Sequence, residues 1–202
     1  MINILVATHN HKKRGELRTL LKKFGTVKVL DLDDLEVAPP IIVEDGKTFR
    51  QNAVKKAVTI SRFFEGLVLA DDSGIEVDAL HGKPGVRSAR FARKNATDSE
   101  NNKKLLKLLE KVPEKNRKAR FVCNIALARE GELLGNFEGT VKGKILFKSR
   151  GSNGFGYDPL FVPNGYEKTF AEMAAGYKNR ISHRSLALKK LEKAIGKFIK
   201  DS

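Results

Sequence analysis

The sequence predicts an α/β fold built on a mixed sheet with flanking helices. In its first third, apolar runs typical of buried strands alternate with segments of helical period, an order typical of α/β proteins. Later, Phe121 to Ala128 and Leu133 to Lys142 form two strand-like segments around the turn Glu130-Gly131-Glu132, which predicts a hairpin. Parallel strands at the start and a later antiparallel hairpin together require a mixed sheet.

The first element is a continuous apolar run from Ile2 to Thr8, as expected of a buried central strand. It ends in a polar turn, Thr8 to Lys13, after which apolar residues at helical spacing predict a helix. Gly25 is placed to end that helix before a second strand over residues 27–30. The helix-forming apolar positions are Leu17, Leu20, Leu21 and Phe24.

A second helix is predicted from Thr48 to Phe64, with Lys56 at the edge of its apolar face. The run from Gly66 to Ala70 then predicts a buried strand that ends at the acidic pair Asp71-Asp72. Ligands of α/β sheets bind at the carboxyl ends of strands, so this pair is a candidate for chemistry.

The remaining chain predicts a surface loop over residues 81–99, a helix that halts at Pro113, the hairpin, a glycine-rich loop from Gly151 to Pro159, and a final amphipathic helix. No internal repeat or linker interrupts it. With 202 residues, a single compact domain spanning residues 1–202 is expected.

Composition limits the classes of function. The 39 Lys+Arg against 24 Asp+Glu give a net charge of +15, which favours polyanionic partners, either nucleic acid or small phosphorylated molecules. Many of these lysines are also explained as solvated helix faces. Cys123 is the only cysteine, so one chain can form neither a disulfide nor a thiolate zinc site. We expect no signal peptide, no membrane association and a cytoplasmic location.

Three carboxylates are candidates for a metal site, because magnesium prefers one or two carboxylate ligands completed by water and phosphate. They are Glu44, Asp71 and Asp72. Two adjacent carboxylates against a buried strand are costly without a cation, which favours a metal. The alternative is that Asp71 to Gly74 is only a turn or a helix cap.

The turn after the first strand is a candidate phosphate site, because a helix start offers N–H groups and a positive dipole end. Its residues are Thr8, His9, Asn10, His11, Lys12 and Lys13. The alternative is that Asn10 simply caps the helix. No Walker motif is present, and the glycines from Gly151 to Gly156 do not open a helix after a strand, so P-loop and Rossmann sites are excluded.

Two aromatic residues of the glycine-rich loop, Phe155 and Tyr157, could stack on a base or pack beneath the loop. Lys178, His183 and Arg184 place hydrogen-bond donors before the last helix. Arg184 is planar and donates only, which suits it to a carbonyl oxygen or a phosphate, although a solvated basic face is the alternative.

These residues fall in four blocks that resemble the inosine triphosphate pyrophosphatase family of non-standard purine NTP pyrophosphatases. The match spans nearly the whole chain. The blocks are Ala7 to Asn10 with Lys13 and Glu16; Glu44 to Phe49 with Asn52-Ala53 and Lys56-Ala57; Ala70 to Leu80 with Pro84 to Val86 and Ser88 to Arg90; and Gly154 to Pro159 with Thr169, Ala171-Glu172, Lys178 and Ile181 to Arg184.

The resemblance implies an elongated mixed sheet in two lobes around a central nucleotide cleft, a homodimer, and hydrolysis of ITP, dITP and XTP to the monophosphate and pyrophosphate. It implies that Glu44 and Asp72 bind Mg²⁺ and that Asp72 accepts a proton, and we expect Lys56 to neutralise the triphosphate. Substrate-binding residues would be Thr8 to Lys13, Ser73, Phe155, Gly156, Tyr157, Asp158, Lys178, His183 and Arg184. One departure is Gln51, where many relatives have a glutamate.

Two other functions fit part of the pattern. A nucleic-acid-binding protein would explain the charge, but we expect a purine nucleoside triphosphate as the partner and no stable nucleic-acid complex. A pyrophosphatase of the Maf type, acting on pyrimidine nucleotides, is the enzymatic alternative. A panel of nucleotides separates all three.

Overall fold

The computed structural model describes residues 2–24 and 27–199, which form five helices and six strands within those ranges. The strands are β1 Ile2–Val6, β2 Val27–Asp31, β3 Leu67–Val77, β4 Lys118–Arg129, β5 Glu132–Ile145 and β6 Phe161–Pro163. The helices are α1 His11–Leu21, α2 Phe49–Ile60, α3 Asp98–Leu108, α4 Ala175–Ile181 and α5 His183–Ile199.

The strands form one sheet in the order β2-β1-β3-β4-β5-β6. β1 pairs in parallel with β2 and β3, whereas β5 and β6 are antiparallel. β4 and β5 are neighbours joined by Glu130 and Gly131, whose φ angles of 53° and 83° are those of a tight hairpin turn. The predicted mixed sheet and its hairpin are therefore confirmed.

The chain divides into two compact units, each built from separate stretches of sequence. The first unit comprises Met1–Asp72, Cys123–Gly139 and Arg184–Ser202. The second unit comprises Ser73–Val122 and Thr140–His183. β3, β4 and β5 each continue from one unit into the other.

In the first unit, helices pack on both faces of the sheet. One core joins Leu67 and Leu69 of β3 to the leucines of α1 and to Leu188 and Leu191 of α5. The other core joins alternate β3 residues to α2, through Val68, Ala70, Ala53, Ala57 and Ile60. Successive side chains of a strand point to opposite faces, so β3 presents odd-numbered residues to α1 and α5 and even-numbered residues to α2.

The second unit has its own core, in which Ile75 and Val77 of β3 pack with Leu105 of α3 and with Phe161 and Phe170. Arg117 crosses this region with its guanidinium buried, and it donates to the carbonyl oxygens of Ile145, Leu109 and Leu146 at 2.9, 2.6 and 2.8 Å. These bonds tie the end of α3 to the end of β5.

Several predicted boundaries differ from those observed. α2 ends at Ile60 rather than Phe64, and α3 ends at Leu108, five residues before Pro113. The predicted loop over residues 81–99 contains a 3-10 helix, Gly85–Arg90, and its last two residues already belong to α3. Gly25, the expected stop after α1, lies outside the described residues.

No helix within residues 2–24 and 27–199 is both long enough and apolar enough to cross a membrane.

Candidate active site

Asp71 and Asp72 lie in the middle of β3 and not at its end. The strand continues to Val77 because Ile75 and Val77 are core residues, so the predicted end at Ala70 and the alternative of a turn or cap are both wrong. β1 stops at Val6, which pairs with Leu69, so both aspartates lie just beyond the carboxyl end of that neighbouring strand.

Asp71 points to the face covered by α1 and α5, where cations surround it. Its Oδ2 lies 3.3 Å from the Lys13 ammonium and 3.4 Å from an Arg184 nitrogen, and the side chain is fully buried. Burial raises the pKa of Asp71, but attraction from Lys13, Arg184 and Lys56 outweighs it and holds this pKa below its usual range. The protein itself therefore supplies the cation that a buried carboxylate needs.

Asp72 points to the α2 face, where a neutral side chain contacts its carboxylate. Its Oδ2 accepts a hydrogen bond of 2.9 Å from the Asn52 amide on α2. Burial raises the pKa of Asp72, opposed by Lys13 and Lys56 and assisted by repulsion from Glu44. Two neighbouring aspartates thus have pKa values shifted in opposite directions, because each faces a different layer of the fold.

Lys56 joins the loop before α2 to β3. Its ammonium donates to Glu44 Oε1 at 2.8 Å and to the Asp71 carbonyl oxygen at 2.6 Å. Burial lowers the pKa of Lys56, but Asp71, Glu44 and Asp72 raise it above its usual value, so the side chain stays cationic. A buried cation beside two carboxylates is suited to neutralising phosphate oxygens.

Glu44 and Asp72 fit a magnesium site. They are oxygen donors, Mg²⁺ is commonly held by one or two carboxylates, and their mutual repulsion, which raises the pKa of Asp72, is what a divalent cation would relieve. Asp71 does not fit, since Lys13 and Arg184 already neutralise it. Across residues 2–24 and 27–199, no group of three or more His, Cys, Asp and Glu side chains is arranged to hold a metal ion.

The turn from Thr8 to Lys13 is organised by Asn10, which caps α1. Asn10 Oδ1 accepts from the N–H groups of Lys12 and Lys13 at 3.0 and 3.1 Å, so these two donors serve the cap, as the alternative interpretation held. The side chains of His9, Asn10, His11 and Lys12 are exposed. Any phosphate contact by this turn therefore depends on its exposed side chains more than on those two N–H groups.

Arg184 lies in the second position of α5, not before the helix, and its guanidinium is buried. It donates to Glu16 of α1 as well as to Asp71. Burial lowers the pKa of Arg184, but Asp71 and Glu16 raise it above its usual value. A solvated basic face is excluded for this residue.

In the second unit, the glycine-rich loop is held by Asp158. The Asp158 carboxylate accepts from the Phe155 N–H at 2.9 Å and from the Lys178 ammonium at 2.6 Å, and both charged side chains are buried. Gly154 has φ +73°, and a Cβ there would lie 2.1 Å from Asp158 Oδ2, so this bend requires glycine. The Lys178 ammonium lies 4.8 Å from the centre of the half-buried Phe155 ring.

The other predicted residues of this unit also make contacts within it. Tyr157 is a core residue whose hydroxyl donates to the Ser88 carbonyl oxygen at 2.9 Å, so its ring is not available for stacking on a base. His183 begins α5 and stacks on Phe121 at 4.8 Å with an angle of 8°. Gly156 accepts a 2.9 Å bond from Asn102 of α3, and Ser73 is half-buried on β3.

Two polar residues near the aspartates were given no role by sequence reasoning. Asn52, on α2, bonds to Asp72, and Glu16, on α1, bonds to Arg184. No sequence pattern predicts either contact. Their only signal is that each lies within a block of the resemblance. Gln51 is explained by the fold, since its Oε1 accepts from the N–H groups of Lys47 and Thr48 at 2.7 and 3.2 Å and caps α2 as a glutamate would.

Comparison with known proteins gives matches over the full chain. The model of the Ham1 family matches residues 4–194. The chain is 47% identical over 195 residues to the dITP/XTP pyrophosphatase of Shouchella clausii, covering 96% of this chain and 97% of that protein. It is 46% identical over 201 residues to the dITP/XTP pyrophosphatase of Thermoanaerobacter pseudethanolicus, covering 99% and 100%.

Solved structures show the same likeness. A HAM1 protein from Coxiella burnetii has a TM-score of 0.86 and 39% identity, covering 98% of this chain and 100% of that one. A nucleoside-triphosphatase, or dITP/XTP pyrophosphatase, from Mycobacterium abscessus has a TM-score of 0.75 and 41% identity, covering 94% and 97%. The mixed sheet with flanking helices is thus the fold of these proteins.

Proposed function

Because the chain belongs to the Ham1 family, it is a nucleoside-triphosphate pyrophosphatase, and we propose that it hydrolyses dITP, ITP and XTP with the help of Mg²⁺. The observation that carries this proposal is the identity of almost half, over the whole chain, to proteins named dITP/XTP pyrophosphatases. The cluster around Asp71 and Asp72 supports it, because it combines cations for phosphate with Glu44 and Asp72, two carboxylates suited to magnesium. The function is the removal of non-standard purine nucleotides from the nucleotide pool.

For the chemical step, we propose in-line attack of water on the α-phosphorus. A P–O bond forms to water, the α–β phosphoanhydride bond breaks, and pyrophosphate carries away the electron pair of that bond. Asp72 orients the water and accepts its proton. Because Mg²⁺ on the same carboxylate would lower its pKa and weaken it as a base, orienting the water is the larger part of this role. The water proton then passes to solvent, which restores Asp72 for the next turnover.

Lys56 and Lys13 would neutralise the triphosphate, since both are cations next to the two aspartates. Glu44 and Asp72 would hold Mg²⁺, which when bound supplies further neutralisation of the phosphate oxygens. The exposed side chains of the turn from Thr8 to Lys13 are proposed to contact phosphate as well. Ser73 follows Asp72 directly and is proposed to touch the substrate.

Recognition of the base is proposed for Phe155, Asp158, Lys178, His183 and Arg184. Hypoxanthine and xanthine carry an exocyclic oxygen where adenine carries an amino group, and Lys178 and Arg184 can only donate. Adenine would face them donor to donor. An unpaired buried donor costs about 1–3 kcal/mol, or roughly ten- to a hundred-fold in specificity.

The test is pyrophosphate release across a panel of ITP, dITP, XTP, ATP, GTP and pyrimidine triphosphates, with Mg²⁺ and with a chelator. We expect release from the first three only when Mg²⁺ is present. Hydrolysis confined to pyrimidine nucleotides would point to a Maf-type enzyme instead. Absence of hydrolysis combined with tight, salt-sensitive binding of DNA or RNA would point to a nucleic-acid-binding protein.

The assembly and location are also proposals. The resemblance supports a homodimer, and Cys123 as the only cysteine fits a reducing cytoplasm. We propose that residues 1–202 form one domain, since three strands continue from one unit into the other. Light scattering of the purified protein would test the dimer.

A further inference from the structure

We propose that Asn52 is a positioning residue that holds Asp72 and the loop carrying Glu44 in a single frame. Its side-chain amide makes two hydrogen bonds in opposite directions. Nδ2 donates to Asp72 Oδ2 at 2.9 Å, and Oδ1 accepts from the Gly46 N–H at 2.8 Å. Asn52 therefore connects the two carboxylates proposed for Mg²⁺, and this inference rests on the proposed function.

The orientation of the Asn52 amide is fixed by its partners. Gly46 offers an N–H and needs an acceptor, whereas the Asp72 carboxylate needs a donor, so the reverse orientation would pair like with like at both ends. Asn52 is also 1% exposed, which keeps water from replacing either bond. Both bonds are thus made by one buried group in one orientation.

Gly46 is shaped to accept this contact. A Cβ at position 46 would lie 2.5 Å from Asn52 Oδ1, closer than real side chains come, so only glycine lets the loop approach the amide. Glu44 lies two residues earlier in the same loop. Its position relative to Asp72 is set by the Gly46 bond on one side and by the Lys56 ion pair of 2.8 Å on the other.

Groups that hold metal ligands in place commonly contribute roughly 10- to 100-fold to metal affinity or activity. Asn52 is such a group for Asp72, because its side-chain N–H bonds one carboxylate oxygen, Oδ2, and so fixes the rotation of the carboxylate. Loss of that donor should allow the carboxylate to rotate away from its productive geometry. Turnover should fall while the nucleotide still binds.

The experiment compares Asn52→Asp with Gln51→Glu. Asn52→Asp keeps the shape and the acceptor for Gly46 but removes the donor to Asp72. Gln51→Glu adds the same negative charge one residue away and keeps its capping bonds to Lys47 and Thr48. Both charges lie near the start of α2, where the helix dipole favours them. The carboxylate at position 52 would also be buried against that of Asp72, so the Tm of both variants is measured with the kinetics.

Steady-state kinetics with dITP are expected to show kcat lowered roughly 10- to 100-fold in Asn52→Asp, with KM changed less than about threefold. Gln51→Glu should match wild type. Asn52→Asp turnover within about threefold of Gln51→Glu would overturn the proposal. If the Tm of Asn52→Asp is well below that of Gln51→Glu, Gly46→Ala becomes the deciding variant. Its added Cβ displaces the Asn52 amide without a change of charge.

The control for Gly46→Ala is Gly196→Ala on α5, where a Cβ meets nothing within 4 Å. Gly46→Ala should lower kcat and Gly196→Ala should not, and equal kcat values would overturn the proposal. Mg²⁺ binding by calorimetry gives a readout independent of turnover. Asn52→Ala, which loses both bonds, should bind Mg²⁺ roughly tenfold more weakly than wild type, and Asn52→Asp no more weakly.

Equal Mg²⁺ affinity of wild type and Asn52→Ala would count against the shared frame. If the wild-type protein releases no pyrophosphate from any nucleotide, the proposed function is refuted. The Mg²⁺ titrations still test the role of Asn52 in that case, because they do not depend on turnover.

Discussion

Asp71→Asn and Asp72→Asn should have opposite effects on stability, although the residues are adjacent. Asp71 is fully buried between Lys13 and Arg184, and removal of its charge leaves the buried Arg184 and the half-buried Lys13 short of one partner. Removing one member of a buried charged pair costs about 3–5 kcal/mol. For a chain of this size, the lower figure corresponds to a decrease in Tm of roughly 6–12 °C.

The pKa shifts give the sign and its pH range. The folded-state pKa of Asp71 is lowered, so its charge stabilises the fold above the unfolded-state pKa, about 3.9, and this contribution is lost as pH falls toward the folded-state value. The folded-state pKa of Asp72 is raised, so at neutral pH its charge opposes folding. Asp72→Asn should therefore be at least as stable as wild type without Mg²⁺.

Thermal unfolding followed by circular dichroism, in chelator at neutral pH and again near pH 4, measures both effects. Asp71→Asn should melt well below wild type at neutral pH, with a smaller deficit near pH 4. Asp72→Asn should keep or raise Tm yet lose most dITP turnover while nucleotide still binds. Equal decreases in Tm for the two variants would refute the assignment of the aspartates to different faces of β3.

Three further predictions concern single residues. Arg184→Ala should lower kcat/KM for ITP more than for ATP, and equal losses measured by steady-state kinetics would show that Arg184 does not read the base. Cys123 should resist alkylation at pH 8 in native protein, because burial raises its pKa to about 12, and mass spectrometry with and without urea checks this. Asn102→Ala should raise KM for dITP more than Asn101→Ala does, because Asn102 holds the Gly156 carbonyl oxygen at 2.9 Å; similar KM values would contradict this.

Sequence patterns predicted the layers of the fold because each depends on local periodicity. The apolar runs and helical spacings gave β1, α1, α2 and the hairpin within a few residues. The end of β3 was mistaken because Asp-Asp-Ser-Gly has the composition of a turn. The strand continues through it since Asp71 and Asp72 are satisfied by Lys13, Arg184 and Asn52, which come from three different helices.

The sequence predicts which residues belong to the candidate site, but it does not predict which of them contact each other. Nothing in the glycine-rich loop distinguishes Phe155 from Tyr157, yet one ring is half-buried and the other is in the core. The distinction comes from Ser88, nearly seventy positions earlier in the chain, whose carbonyl oxygen receives the Tyr157 hydroxyl. Asn52 was overlooked for the same reason, since its importance comes from tertiary partners.

The division of the chain among the units has a consequence for synthesis on the ribosome. The second unit ends at His183, whereas the first unit also needs Arg184–Ser202, which is translated after the whole of the second unit. The leucines of α5 then fill a core that already contains β1, which is translated before the other described strands. Arg184 lies 113 residues after Asp71 in the chain, so a nascent chain carries this aspartate without one of its partner cations until that stretch has been translated.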